Sequence, residues 1–245
     1  MLSMLCASTR LYCVERKVVA LIPARGGSSG VLRKNLAEVG GFSLLARACL
    51  SSQTSIYVSE TYVSSDDPEM LSLSEKMGAC AVERPSELAN DFARAEGVVE
   101  HFLDCKYGRV LKLDDVLLYL QPTSPFRTSN HVDEALRLLF DSSGHGVISV
   151  KTLTEYPSKT LAQDGDGWLR SNRAPYEGAA NRQDLDPLVY PNGAIYAFTV
   201  RSFREAEGFP VEGSKAFVMD AMSSIDIDTP EDLEIARGVA IYAGI

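Results

Sequence analysis

The sequence predicts an α/β fold in which a mostly parallel sheet is covered by helices on both faces. Three observations carry that reading. The run KVVALI, Lys17 to Ile22, is short, β-branched and continuously apolar, as a strand buried on both faces must be. Further along, strand-like apolar runs alternate with helical stretches of about ten to fifteen residues, the spacing of crossovers between parallel strands. The 245 residues, 45% hydrophobic and 23% charged, suffice for one such domain without disulfides or metals to hold its core.

The first strand breaks at Pro23 into ARGGSSG, where Gly26, Gly27 and Gly30 admit backbone conformations closed to other residues. The chain then passes through LRKN to an amphipathic helix over Phe42 to Leu50. Ile56 to Ser64 reads as a strand, Pro68 to Met77 as a helix, Cys80 to Glu83 as a strand and Arg94 to Cys105 as a helix. Val116 to Leu120 is a second strongly apolar strand. The helix after it starts at Ser129 and sets Val132, Leu136 and Phe140 at helical spacing. Gly146 to Val150 is the next strand.

Between Lys151 and Pro191 the pattern changes, with Pro157, Gly165, Gly167, Pro175, Gly178 and Pro187 interrupting any periodicity. About forty residues without regular elements are unusual as a bare loop in a compact domain, so an arm or lid is expected, ordered by a second subunit. The core resumes with the strand AIYAF, a polar turn, a strand near Phe217 and a helix from Pro230 onward. The expected organisation is thus an N-terminal extension over 1–16, a core over 17–150, the arm over 151–191 and the remainder of the core over 192–245.

The 24 lysines and arginines against 33 aspartates and glutamates leave a net charge of −9. That balance excludes a broad phosphate-binding surface, because non-specific nucleic-acid affinity comes from basic side chains neutralising backbone phosphates. A polyanionic small ligand would need a local basic cluster, a bound cation, or both. Cys6, Cys13, Cys49, Cys80 and Cys105 are odd in number and scattered, without a C-x-x-C pair, and read as reduced thiols of a cytoplasmic protein. No apolar run approaches the roughly 18 residues of a membrane helix. The first sixteen residues lack the continuous apolar stretch of a signal peptide and are expected to be a frayed extension.

Two segments carry chemistry. PARGGSSGVLRKN, residues 23–35, lies just past the carboxyl end of the first strand, where open α/β sheets bind ligands. Its glycines let backbone amides approach an anion, while Arg25, Arg33 and Lys34 add positive charge. It matches neither G-x-x-x-x-G-K-[ST] nor G-x-G-x-x-G, which removes the P-loop and dinucleotide readings. Gly26 to Gly30 also satisfies G-x-S-x-G, the nucleophile elbow of α/β-hydrolases, with Ser28 as nucleophile. That class needs a histidine after an acid late in the chain. His101, His131 and His145 all precede the last hundred residues, and the first two fall in predicted helices as surface histidines.

The second segment is SSIDIDTPEDLE, residues 223–234. On an extended strand Asp226 and Asp228 share a face about 7 Å apart and can bracket a divalent cation, magnesium or manganese for oxygen ligands. A helix start with Thr229 as N-cap and Pro230 at the first helical position explains Thr229 to Asp232 equally well, but leaves Asp226 without a purpose. A polyphosphate loop with a metal-carboxylate pair suggests transfer to or from a nucleoside triphosphate.

The strings IPARGGSSGVLRKNL, RPSELAND, LYLQPTSPFR, YPSKTL, NRQDLDPLVYPNGAIY and SIDIDTPEDL, in that order, resemble the cytidylyltransferases that activate sialic acids and related nine-carbon keto sugar acids such as legionaminic and pseudaminic acid. The resemblance runs from about Val18 to Leu233. It implies a Rossmann-like α/β domain with a dimerisation arm, and a homodimer that makes CMP-sugar and pyrophosphate from CTP and a free sugar acid with Mg2+ (or Mn2+). It implies that Arg25, Ser28, Ser29, Lys34 and Asn35 hold the nucleotide, with Arg84 and Asn90 near the cytidine. Gln121 and Tyr196 would line the sugar pocket, and Lys159 and Arg182 would face the sugar carboxylate, one of them across the dimer. Asp228 would hold the metal, and Asp226 would ligate a metal or take the attacking proton, with Lys34 and Arg182 completing the catalytic set. The implied location is cytoplasmic, or nuclear in an animal-like lineage.

Three departures from the family pattern bear on turnover. Ser29 stands where the usual loop has a lysine, and Phe92 and Ala95 stand where small hydroxylated residues are common. Tyr190 replaces an arginine of many bacterial members, as in the animal branch. Unless Arg33 substitutes for the missing charge, a weakened nucleotide-binding relative is the alternative reading, since one positioned donor contributes about 3 kcal/mol to a transition state.

Overall fold

Alternate side chains of the first strand point into two different cores, and that division organises the molecule. A computed structural model describes residues 16–27, 30–154, 160–171 and 188–245. In chain order the strands are β1 (Val18–Pro23), β2 (Glu38–Val39), β3 (Phe42–Ser43), β4 (Glu60–Ser65), β5 (Cys80–Glu83) and β6 (Val116–Tyr119), then β7 (Gly146–Thr152), β8 (Leu161–Gln163), β9 (Leu169–Ser171), β10 (Val189–Thr199) and β11 (Lys215–Val218). The helices are α1 (Leu44–Gln53), α2 (Pro68–Lys76), α3 (Ala95–Asp104), α4 (Ser129–Asp141), α5 (Val200–Glu205) and α6 (Pro230–Ala243).

Val18, Ala20 and Ile22 of β1 meet Leu45 of α1, Met70 of α2 and Leu136 of α4 on one face of the sheet. Val19 and Leu21 meet Val99 and Phe102 of α3 and Phe203 of α5 on the other. This two-sided burial is what a continuous apolar run demands. A third cluster packs Ile227, Leu233 and Ala236 against Val39 and Leu44, seating α6 on the β2–β3 hairpin.

Among the described residues the main sheet has seven strands in the order β11-β7-β10-β6-β1-β4-β5. β1 runs parallel to β4 and β6, β4 to β5, and β7 to β11. Only β10 is reversed, antiparallel to both β6 and β7. The sheet is therefore mostly parallel, as expected. The chain leaves β1 toward β4 on one side and reaches β6 on the other, and such a reversal of direction opens a crevice at the strand ends.

Capping explains several boundaries. Ser43 caps α1, so the helix begins at Leu44, and the expected start at Phe42 is taken up by the β2–β3 hairpin. Asp67 and Pro68 open α2, and Thr128 closes a capping box with His131 at the head of α4. Thr229 and Asp232 form the same device on α6 behind Pro230. β4 begins at Glu60 rather than Ile56 because the amide of Ile56 and the hydroxyl of Ser55 are tied to the buried carboxylate of Asp133. The polar turn expected after AIYAF is the short helix α5, capped by Thr199.

The arm differs from expectation at both ends. β7 continues to Thr152 and β10 begins at Val189, with Lys151 opposite Tyr190, so the sheet extends into the segment. Inside it β8 and β9 pair as a hairpin whose three-residue strands are too short to register as periodicity. The extension over residues 1–15 lies outside the described residues. No helix of the described residues is long and apolar enough to cross a membrane.

Candidate active site

A cavity of about 380 Å3 opens beyond the carboxyl ends of β1 and β6. The loop after β1 contributes Arg25, Lys34 and Asn35, the segment after β5 contributes Arg84 and Asn90, and the segment after β6 contributes Gln121 and Thr123. Asp226 and Asp228 close it from the carboxyl-terminal side. The glycine loop and the acid pair, about two hundred residues apart in sequence, thus face one void. Gly30 makes that approach feasible, since a Cβ there would stand 2.0 Å from the carbonyl oxygen of Asp228.

The cations are individually placed. Asn35 is buried and donates from Nδ2 to the carbonyl of Arg25 at 3.0 Å, fixing the loop that carries both. Arg25 reaches across the mouth to Asp91 at 2.8 Å. Lys34 donates from Nζ to the carbonyl of Ile227 at 2.8 Å and to Oδ1 of Asp228 at 3.0 Å. Arg84 is 5% exposed, and its Nε and Nη2 have no hydrogen-bond partner. Burial pulls its pKa below the ordinary arginine value. An unsatisfied buried guanidinium is costly unless an anion or polar ligand meets it. Arg33, by contrast, is held away from the cavity by Asp67 at 3.2 Å and Glu69 at 2.8 Å. Held there, it does not line the cavity.

The acids lie on an extended stretch that joins no sheet, so the expected strand does not form. Period two survives nonetheless, with Ile227 fully buried in the third core while its neighbours line the cavity. Asp226 is half-buried, and its Oδ1 is enclosed without a hydrogen-bond partner. Burial raises its pKa above the ordinary aspartate value, opposed by a hydrogen bond from Thr123. Asp228 is exposed and paired with Lys34. Two carboxylates, one carrying an enclosed free oxygen, suit a divalent cation, which would relieve the cost of that oxygen. Thr229 to Asp232 belong to the helix start, as the plainer reading held.

The remaining expected residues divide. Asn90 lines the cavity, but its side chain is engaged in its own loop, donating to the carbonyl of Glu87 and accepting from the amide of Phe92. Gln121 lines it as well, and Gly193, at φ 76°, lies so close that a Cβ would be 2.4 Å from Gln121 Oε1. Tyr196 does not line it; it packs on Phe209 at 4.9 Å and Tyr119 at 6.3 Å, and Tyr119 forms the wall there. Ser28, Ser29, Lys159 and Arg182 lie outside the described residues. None of the three histidines lines the cavity, and His101 and His131 are half-buried rather than on the surface. The hydrolase reading has no base at hand in this cavity.

Sequence reasoning missed Arg127. It is buried, burial lowers its pKa to about 10, and it donates to the carbonyls of Gln121 at 2.7 Å and Ala194 at 2.8 Å and to Ser51 Oγ at 3.2 Å. It fastens the cavity floor to β10 and α1. An arginine between Phe126 and the cap Thr128 was the available signal, because a charge set against core residues needs a purpose.

A second cavity of about 1040 Å3 adjoins the first and shares Asp226 and Asp228 with it. Lys151, Tyr190 and Asn192 line its sheet side, and Asp220, Ser224 and Ile235 its far side. Asn192 is buried, accepting from Ser149 Oγ at 2.6 Å and donating to Ser224 Oγ at 2.9 Å. The arrangement therefore has two chambers with one acidic edge between them, the first bordered by cations.

A family model described as cytidylyltransferase matches residues 19–165. The N-acylneuraminate cytidylyltransferase of Escherichia coli O18:K1:H7 is 30% identical over 91% of this chain and 52% of its own length. The CMP-N,N'-diacetyllegionaminic acid synthase of Legionella pneumophila is 30% identical over 88% of this chain and 93% of its own. The pseudaminic acid cytidylyltransferase of Campylobacter jejuni strain 81-176 is 28% identical over 90% and 95%. The chain thus spans about half the length of the E. coli relative. A solved CMP:2-keto-3-deoxy-manno-octonic acid synthetase, complexed with CTP, shares the fold with a TM-score of 0.66 at 20% identity, covering 93% of this chain and 99% of that one.

Proposed function

The chain belongs to the cytidylyltransferase family, and from that premise we propose that it transfers CMP from CTP to the anomeric hydroxyl of a nine-carbon keto sugar acid, releasing pyrophosphate. One observation carries the reading: the acid pair Asp226 and Asp228 is the common wall of a cation-lined chamber and a larger second chamber. The first suits a triphosphate and the second an acceptor, and the bond exchanged lies between them.

In the first chamber Arg25, Lys34 and the unpartnered face of Arg84 supply the positive charge that triphosphate binding requires. Gln121, held by Arg127 through its carbonyl, offers an amide to the pyrimidine or the sugar. The acceptor oxygen forms a bond to the α-phosphorus while the bond to the β-phosphate oxygen breaks, and the hydroxyl proton must leave. Asp226, made more basic by burial, is the group on the common wall able to receive it. Asp228 would hold magnesium, which, when bound, supplies charge neutralisation at the phosphates. A homodimer completed by the arm and a cytoplasmic location belong to the same proposal. They are supported by the hairpin that exposes Leu161, Trp168 and Leu169, and by cysteines free among the described residues.

A slower enzyme is the second reading, favoured by Ala95, which lines the cavity without a hydrogen-bonding side chain, and by the engagement of Arg33 elsewhere. The deciding measurement is pyrophosphate release from CTP that requires both magnesium and a keto acid. Release with none of N-acetylneuraminic, legionaminic and pseudaminic acids would overturn the proposal.

A further inference from the structure

The second cavity is lined by four aspartates, and their hydrogen bonds separate them. Asp220 accepts from the amide and hydroxyl of Ser223 at 2.8 and 3.0 Å, and Asp232 accepts from Thr229 and the amide of Asp228. Both hold turns. Asp226 and Asp228 remain at the reacting edge. In a 2-keto sugar acid the carboxylate is borne by the anomeric carbon itself, so bringing the attacking hydroxyl to that edge also brings a carboxylate toward two others. Like charges at such separations repel; Lys34 is already engaged by Asp228, so the incoming carboxylate needs a cation of its own on the acceptor side.

Among the described residues lining this cavity, Lys151 alone is cationic, and it has no ion pair with any of them. It lies on β7 opposite Tyr190 of β10, three residues before Gly193. A Cβ on Gly193 would stand 3.6 Å from Asp226 Oδ2. Three residues span at most about 10 Å even when fully extended, and the bulge between Pro191 and Tyr196 shortens that path, leaving a gap within reach of a flexible lysine stem. We infer that Lys151 binds the carboxylate of the acceptor and makes this chamber selective for acids over neutral sugars. The inference rests on the proposed acceptor role of the second chamber.

The test compares wild type, Lys151→Met and Lys151→Arg in the full chain. Binding of N-acetylneuraminic acid and of its neutral methyl ester is measured by calorimetry with CMP and magnesium present, alongside steady-state pyrophosphate release. Lys151→Met should weaken binding of the acid at least tenfold, leave the ester and the KM for CTP within twofold, and be largely rescued by Lys151→Arg. Equal weakening of acid and ester, no weakening, or no acid binding by wild type would overturn the inference. Acid binding that depends on Lys151 without any pyrophosphate release would sustain it while removing the proposed reaction.

Discussion

Nζ of Lys34 lies 3.0 Å from Oδ1 of Asp228, joining the loop after the first strand to the segment before the last helix. The lysine side chain is 14% exposed and the aspartate 74%. A pair with one partner that open to solvent adds little stability. Its consequence is positional: an ammonium is held at the edge where the proposed reaction places the phosphates.

Lys34→Gln should therefore shift Tm by only a few degrees yet lower pyrophosphate release on the order of 10²-fold or more, as for loss of a single positioned electrostatic donor. Circular dichroism melts beside a coupled pyrophosphate assay separate the two effects. A large fall in Tm with a proportionate loss of activity would instead mark the pair as structural.

Gly30 offers a cleaner probe of the same junction. An added methyl would meet the Asp228 carbonyl at 2.0 Å, and a backbone group cannot swing aside as a flexible side chain can. Gly30→Ala should push the loop from the acid pair and weaken the stabilisation by CTP at least tenfold in apparent affinity, read by thermal shift. Gly238→Ala, on α6 and outside the cavity lining, is the control, because nothing lies within 4 Å of its added carbon.

Periodicity made the strands and most helices legible, since β1, β5, β6, α2 and α3 each repeat their apolar pattern for at least four residues and end at turn or cap residues. Short elements were not legible: β2, β3, β8 and β9 have two or three residues each, below any period. In the site, Lys34 and the acids were legible because the lysine closed a glycine-rich loop past a strand end and the acids stood in a repeating pattern. Tyr196 is absent from the lining of the first cavity because an aromatic on a strand can face either a cavity or a core, and here its ring packs on Phe209. Arg127 was overlooked because its partners are carbonyls, which leave no trace in sequence.

Asp226→Asn tests whether the enclosed carboxylate is kept for chemistry. Oδ1 has no hydrogen-bond partner, and enclosing a charged oxygen costs more than enclosing a neutral amide. The variant should melt at or above the wild-type temperature in metal-free buffer while losing pyrophosphate release by more than 10²-fold. A variant that both melts earlier and keeps activity would show that the carboxylate serves the fold.

Asp220 carries the pH prediction. The Ser223 amide and hydroxyl and the Met222 amide hold its carboxyl below the ordinary aspartate value, and its loop supports Ser224, the partner of Asn192. With the folded pKa below the unfolded value near 3.9, the unfolded chain binds the proton first as pH falls. The contribution is thus fully present above about pH 5 and fades as pH falls through about 4 toward the folded pKa. Asp220→Ala should lower stability at pH 7 by no more than ~1 kcal/mol, because solvent screens this exposed carboxylate. Urea melts from pH 7 to pH 3 should show the gap between variant and wild type narrowing below about pH 4, whereas a constant gap would assign the loss to packing.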